Sequence, residues 1–487
     1  VESLSSSFSK GLKEREKTLE YVISEALQIP QSQVEDDLEY RSISEWDSMG
    51  HVNLLISLEE EYGVTIDAHD RSKLLSVRDL RNFLMQAENK DSNTVEIVGN
   101  ETKGYSEQKQ TISRGLVDVI LDSTEITYID GENGLLQYRG YSIHELVNNS
   151  TFEETAYLLM FGSLPTSVQL KDFDQELKKA RNLPEPIIDL LISMKEARPM
   201  DALRTAVSAL GNFQENSLKH DSLNNKISLL SQIPIIVAFH NSIRFNRELV
   251  MPSEKISHAA NLLYMLDGKI PSINVEKVLN KILILHADHG SNASAFTARV
   301  VTGTSADIYA ALTAAIAAFS GKLHGGAIEE VLTMIKEIGS PDNATMYVKE
   351  KQRKNEPVMG FGHRVYKTID PRAKILRETA QALSEEFNTT IYFEILESLV
   401  SAMRPYIKKG VNVNVDYYAS LIYQLLGIPQ DLFVPIFTIG RIPGWISQIE
   451  EQKSKNILIR PKLSYTGIKN QPYRPISDRN HIDSEGF

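Results

Sequence analysis

Gly321-Lys-Leu-His-Gly-Gly-Ala327 and, further along, Pro357-Val-Met-Gly-Phe-Gly-His-Arg-Val-Tyr-Lys-Thr-Ile-Asp-Pro-Arg372 set two histidines, His324 and His363, among glycines. A glycine beside a polar side chain lets backbone and imidazole approach a small ligand, and it forms turns that other residues adopt only with strain. One such histidine is more often a hydrogen-bonded structural residue than a catalyst. Two of them point to an active site when His289 stands upstream in Ile284-Leu-His-Ala-Asp-His-Gly-Ser-Asn-Ala-Ser294 and Asp416 follows Gly410-Val-Asn-Val-Asn-Val415. Long helical patterns surround these motifs, punctuated at Leu164-Pro165, Gly268, Gly427-Ile-Pro429 and Pro443-Gly444, and they predict a mainly α body. A β-rich stretch from Val117 to Tyr141, with a turn at Asp130-Gly-Glu-Asn-Gly134, opens it.

The chain has 487 residues, enough for two to four packing units. With 42% hydrophobic and 24% charged residues it falls in the globular range, and its formal charge of −12 gives no sign of nucleic-acid binding. No cysteine occurs, so disulfides, thiolate metal sites and cysteine nucleophiles are excluded, and a cytoplasmic location is expected. The longest strongly apolar stretch, Ile308 to Phe319, is too short to span a bilayer, and no membrane partner is expected. Lys13, Glu14, Arg15, Glu16 and Lys17 stand where a secretory signal has an apolar run.

Residues 1–87 read as a small helical bundle, from Leu12, Leu19, Val22, Ile23 and Ala26, then Val52, Leu55, Leu58 and Tyr62, then a short helix Val77 to Leu84. Residues 88–112 are polar and turn-rich and read as a linker, with a short extended piece at Val95 to Val98. The main body spans 113–467, and 468–487 reads as an extended tail.

His286 and His289, with Asp288 between, leave a metal site open as one reading, but no second His-x-x-His accompanies them. Histidines combined with the bidentate donors Arg372, Arg441 and Arg460 suit a small di-acid better. Asp416 reads either as a helix N-cap or as a base. A helix N-terminus is expected to lower its basicity, so a base role requires a hydrogen bond to the developing enolate, and His324 is the candidate donor.

The segment Glu45-Trp-Asp-Ser-Met-Gly-His-Val52, with the acidic run Glu59, Glu60 and Glu61 closing the following helix, resembles an acyl carrier protein domain over about residues 10–87. The resemblance implies a four-helix bundle, 4′-phosphopantetheine on Ser48, a phosphopantetheinyl transferase and acyl-loading enzymes. Asp47 or Ser48 reads equally as a plain helix N-cap. The acidic helix is expected to dock on the basic run Lys349, Lys351, Arg353 and Lys354.

Residues 113 to about 467 resemble citrate synthase. The matching motifs run from Thr127-Tyr-Ile-Asp-Gly-Glu-Asn-Gly134 through Arg198-Pro-Met-Asp201 and the histidine segments to Asn414-Val-Asp-Tyr-Tyr418, Gly440-Arg-Ile-Pro-Gly-Trp445 and Ile459-Arg-Pro-Lys-Leu-Ser-Tyr-Thr-Gly467. The resemblance implies an all-α two-domain fold with a small domain at about 326–426, a homodimer, and no metal. It implies that Asp416, His324 and His363 are catalytic. His289, Arg372, Arg441 and Arg460 would bind oxaloacetate, and Lys367 with Val358, Met359, Gly360, Phe361 and Gly362 would bind coenzyme A. An acetyl thioester, on coenzyme A or on the carrier, would be the co-substrate, acetyl-CoA in the first case, and citrate the product after hydrolysis. Gly290, Lys322, Ile328 and Ala419 depart from the family pattern and leave the acyl preference open between citrate and an alkylcitrate such as 2-methylcitrate. A carrier serving only as a docking module, and a metal-dependent hydrolase built on His286 and His289, stand as further readings.

Overall fold

The computed structural model describes residues 17–40, 42–43, 45–66, 68–71, 73–89, 113–116, 119–213, 222–476 and 479. Of the linker expected at 88–112, residues 90–112 with the extended piece at Val95 to Val98 lie outside them, as do residues 477–478 and 480–487 of the tail expected at 468–487.

Among the described residues the N-terminal unit has three helices of regular length: α1 (Leu19–Leu27), α2 (Ser48–Tyr62) and α4 (Val77–Asn89). In place of the expected fourth there is one turn, α3 (Ala68–Arg71). Thr18 caps α1 by accepting from Tyr21 N at 3.3 Å. Asp47 accepts from Gly50 N at 2.8 Å, so Asp47 takes the capping role and Ser48 is the first helical residue of α2. The unit has its own core of Leu19, Ile23, Leu27, Leu54, Leu55, Leu58, Val77 and Leu80, closed by a fully buried Trp46 whose Nε1 donates to His51 Nδ1 at 3.1 Å.

The body opens on a three-stranded antiparallel sheet, β1 (Thr127–Asp130), β2 (Leu135–Tyr138) and β3 (Tyr141–Ser142), in the order β1-β2-β3. It is shorter than the β-rich stretch read from Val117. Asp130 closes the hairpin by accepting from Glu132 N and Asn133 N. Helices follow: α5 (Ile143–Asn149), α6 (Phe152–Phe161), α7 (Ser167–Lys179), α8 (Glu185–Ser193), α9 (Pro199–Leu210), α10 (Leu223–Arg244), α11 (His258–Asp267) and α12 (Ile273–His286). Next come α13 (Ala293–Gly303), α14 (Ile308–Phe319), α15 (Ala327–Ile338), α16 (Ala344–Arg353), α17 (Pro371–Glu386), α18 (Ile391–Ala402), α19 (Arg404–Ile407), α20 (Val415–Leu425) and α21 (Phe433–Ser454). Beyond α21 the described chain to Ile476 is largely exposed and carries no further α-helix or strand.

Helix α21 is the axis of the body. It packs against α6, α10, α12, α13 and α14, and an apolar helix surrounded on every side is what a core helix of a large domain requires. By length and composition it could cross a membrane, which the shorter Ile308–Phe319 could not, yet its apolar window is wholly buried inside the fold. Each fully buried Ile or Phe of such a helix stabilises the fold by about 1.5–3 kcal/mol. The same helix carries Arg441 into the interior. Helices α15 and α17 both pack on α20 beside this core, and α16 packs on α18.

The N-terminal unit rests on the body, but not where its acidic run was expected to dock. Lys351 pairs with Glu356 at 2.8 Å and Lys354 with Glu350 at 2.7 Å, so acids of the same segment take up two of the four cations of the basic run. Glu59 instead pairs with Lys409. Gln28 Nε2 donates to Arg353 O at 2.6 Å, and Asn53 Nδ2 donates to Asn355 Oδ1 at 3.1 Å. Val52, on α2, is fully buried in the apolar cluster of the body and not in that of its own unit.

Candidate active site

The β-hairpin fixes the first histidine. Just past α12, the buried Asp288 carboxylate accepts from Thr127 Oγ1 at 2.6 Å, Gly290 N at 2.9 Å and Gln448 Nε2 at 3.2 Å. The Tyr138 hydroxyl donates to Asp288 O at 2.9 Å. These bonds hold the turn that presents His289, whose Nε2 lies 3.2 Å from the Tyr366 hydroxyl. Gly290 has φ 54, a left-handed conformation in which a residue with a side chain would be strained. His286 does not join His289. Its ring stacks on Phe437 at 3.5 Å between centroids, and both its nitrogens are buried without a hydrogen bond. Among the described residues no three His, Asp or Glu side chains are grouped to hold a metal ion.

His324 stands in the turn between α14 and α15. A Cβ on Gly325 would fall 2.4 Å from Phe319 O, so the turn needs that glycine. His324 Nε2 accepts from Ser294 N at 3.2 Å and lies 2.8 Å from Ser294 Oγ. An accepting Nε2 puts the proton of the neutral ring on Nδ1. Burial, aided by the Arg441 charge, lowers its pKa to about 4, so the ring is a neutral donor at physiological pH.

His363 follows a loop shaped by Gly360 (φ 79) and Gly362 (φ 88). Its Nδ1 accepts from Val365 N at 3.0 Å and Tyr366 N at 3.1 Å, which leaves the proton on Nε2. Burial lowers its pKa to about 4. The His289 and His363 rings lie 5.0 Å apart and Tyr366 lies beside both. Burial, with the Arg372 charge second, also holds His289 well below the ordinary histidine range.

Arg372 and Arg441 are each about 2% exposed. Burial works to lower the pKa of Arg372, but Asp370, which takes its Nε at 3.0 Å and Nη2 at 2.7 Å, outweighs burial and raises it. Arg441 has no such carboxylate partner among the described residues. Its Nε donates to His286 O at 2.6 Å, its Nη1 is buried without an acceptor, and burial pushes its pKa down to about 10. A buried guanidinium with an unused donor, beside a second one, makes a socket for an anion.

Asp416 lies in the first turn of α20, and the cap is Asn414, whose Oδ1 accepts from Asp416 N at 3.1 Å. The expectation that the helix N-terminus lowers its basicity is overturned. The residue is half-buried by area, but its carboxylate stands among buried groups, and desolvation pushes its pKa up to about 7 despite Arg372 and Arg441. No hydrogen bond from the described residues reaches its side chain.

His289, His324, His363, Arg372, Arg441 and Asp416 thus share one electrostatic neighbourhood, because Arg372 or Arg441 bears on the titration of each of the other four. The segment Val358, Met359, Gly360, Phe361, Gly362 runs beside it: Gly362 N donates to Asn412 O, and Asn414 N donates to Gly360 O. Lys367, at the surface, pairs with Glu132 at 2.5 Å. Arg460 is exposed on the segment after α21 and joins none of these groups. Reading the sequence missed Ser294, Asp370, Tyr366 and Tyr138, and it weighed Asp288 only as part of a metal site. Ser294, Tyr366 and Asp370 lie inside the quoted motifs, whereas the pairing of Tyr138 with Asp288 joins residues 150 positions apart.

The family model described as "Citrate synthase, C-terminal domain" matches residues 115–462. A citrate synthase of Synechocystis sp. is 40% identical over 375 residues, covering 76% of this chain and 94% of its own length. 2-Methylcitrate synthase 1 of Corynebacterium glutamicum is 37% identical over 377 residues, covering 76% and 98%. The crystal structure of citrate synthase from Pyrobaculum aerophilum superposes with a TM-score of 0.72 at 35% identity, covering 80% of this chain and all of its own. The Thermoplasma acidophilum citrate synthase, solved with carboxymethyl coenzyme A and oxaloacetate, gives a TM-score of 0.71 at 30% identity, covering 76% of this chain and all of its own. Sequence, fold and the cluster of histidines, arginines and aspartate agree that the chain belongs to the citrate synthase family and is an acyltransferase of that family.

Proposed function

We propose that the site condenses an acetyl thioester with oxaloacetate and hydrolyses the resulting citryl thioester to citrate. The observation that carries the reading is a carboxylate of raised pKa in the same electrostatic neighbourhood as two neutral histidine donors and two buried arginines. Asp416 takes a proton from the acetyl methyl group while His324 Nδ1–H donates to the thioester carbonyl oxygen, so the enolate charge never stands unsupported. The new carbanion equivalent attacks the ketone of oxaloacetate, and His363 Nε2–H supplies a proton to the ketone oxygen. His289, Arg372 and Arg441 hold the carboxylates, and the unused Nη1 of Arg441 is the natural first contact.

The base must be ionised to act. With Asp416 at about 7, kcat/KM for the thioester at saturating oxaloacetate is expected to rise with pH through neutrality as a single ionisation. The histidines, neutral above about 4, impose no second limb there. A profile flat between pH 5 and 8 at about constant rate would remove Asp416 as the base.

The 2-methylcitrate relative supports a second reading in which propionyl replaces acetyl. One methylene shifts preference by about 1–3 kcal/mol in an apolar pocket, so rates with acetyl- and propionyl-CoA separate the two. Arg460 would serve a neighbouring subunit's site in a homodimer, consistent with its exposure here. An active monomer by light scattering would sink that role. The small domain at about 326–426 would close over oxaloacetate, with Lys367 leaving Glu132 for the phosphates of coenzyme A. A cytoplasmic location fits the cysteine-free sequence.

Ser48 is proposed to carry 4′-phosphopantetheine, installed by a phosphopantetheinyl transferase and charged by separate acyl-loading enzymes. Support comes from its place as the first residue of an acid-tipped helix whose first turn is capped by Asp47.

A further inference from the structure

Two short segments of the body each carry a reactive group at one end and touch the N-terminal unit at the other. The first runs from Arg353 and Asn355, which meet Gln28, Asn53 and the carbonyl of Glu45, through the glycine loop to His363. The second runs from Lys409 to Asp416. Lys409 pairs with Glu59 and donates to Ile66 O at 3.3 Å, and the Arg71 guanidinium stands against Gly410. The two segments are bonded to each other between these ends: Phe361 bridges Val413, Gly362 N donates to Asn412 O at 2.8 Å, and Asn414 Nδ2 donates to Gly362 O at 3.1 Å. The N-terminal unit is therefore seated on the backbone that holds both His363 and Asp416.

The seat is built and not a grazing contact. The Lys409 side chain is 12% exposed and that of Glu59 22%, so the pair is largely withdrawn from water. Glu59 is itself fixed by accepting from Ile66 N at 2.7 Å. Val52 is fully buried in the body's cluster. Asn355, at φ 51, hydrogen-bonds α2 and reaches Glu45 O, three residues ahead of Ser48. The contacts thus grip both the approach to Ser48 and the far end of the same helix, fixing α2 relative to the site.

We propose that this seat is the dock of a chain-borne donor: an acyl thioester on the arm of Ser48 is delivered within the molecule to Asp416, with Lys409–Glu59 as the latch. The proposal rests on the Ser48 reading given above. In the reaction the methyl C–H bond of the acetyl-arm breaks, its proton passing to Asp416. Its electron pair forms the C–C bond to the oxaloacetate ketone carbon, whose oxygen takes the proton of His363. Water then breaks the C–S bond. Acetyl-arm, oxaloacetate and water become citrate, the free thiol of the arm and one proton, so the arm is left ready for reloading. A tethered donor reacts at an effective concentration set by its geometry and not by the free thioester pool.

The test uses the full-length protein treated with a phosphopantetheinyl transferase and acetyl-CoA, freed of small molecules, with loading read by intact mass. Adding oxaloacetate is expected to yield citrate and the unloaded arm in a first-order step whose rate constant is unchanged by about tenfold dilution. Lys409→Glu is expected to slow this step about tenfold or more while leaving kcat/KM for free acetyl-CoA within about twofold, and Lys409→Glu with Glu59→Lys to restore it. Equal slowing with both donors, no slowing, or a loaded arm that never condenses while free acetyl-CoA is turned over would overturn the dock and leave the Ser48 reading standing. No gain of mass overturns both.

Discussion

Asp416→Asn is expected to lower kcat by about 10²–10⁴-fold, the range general base catalysis contributes, with little change in oxaloacetate affinity. The division follows from geometry. Asp416 receives no hydrogen bond from the described residues and is desolvated to a pKa of about 7, so its chemistry is free for a carbon acid. The oxaloacetate carboxylates are met by other groups. Asparagine keeps the volume and the place behind the Asn414 cap, so the fold is expected to survive. Steady-state kinetics on a variant with the parent's melting temperature decides it, and near-parent turnover would remove the base from the mechanism.

Arg441→Met is expected to raise the oxaloacetate requirement by about 10–100-fold, the equivalent of roughly 1.5–3 kcal/mol for a charge-assisted hydrogen bond. It is the cleaner of the two arginines to remove. Its Nη1 has no acceptor among the described residues, and it is hydrogen-bonded to no carboxylate among them. Arg372→Ala leaves Asp370, wholly buried, without its guanidinium, and breaking such a pair costs about 3–5 kcal/mol of folding stability. A variant at Arg372 therefore mixes unfolding with lost binding. An unchanged KM for oxaloacetate in Arg441→Met would take Arg441 out of the anion socket.

The glycine-flanked histidines were legible in the sequence because the glycines are required locally: Gly325 by its closeness to Phe319 O, Gly360 and Gly362 by their left-handed backbone. The helical body was legible for the same local reason, since apolar spacing and Pro or Gly stops act within a turn or two. What sets the electrostatics was not. Helix position suggests a weaker base at Asp416, but the decisive term is burial, which exists only after α15, α17 and α20 have packed. The Thr127 and Tyr138 supports of the His289 turn join residues about one third of the chain apart, and no spacing rule finds them. Charge runs misled. Lys351 and Lys354 look like a dock in the sequence but are neutralised by Glu356 and Glu350 on their own segment, whereas a single Lys409 meets the acidic helix. The shortened α3 was not legible either, because a four-residue turn leaves no periodicity to read.

The most direct test of the condensation is to follow thiol release and product together when the full-length protein meets acetyl-CoA with and without oxaloacetate. One citrate formed for each thiol released, and no thiol release without oxaloacetate, is the predicted result. Thiol release that proceeds without oxaloacetate, or that leaves acetate and no citrate in its presence, would contradict it.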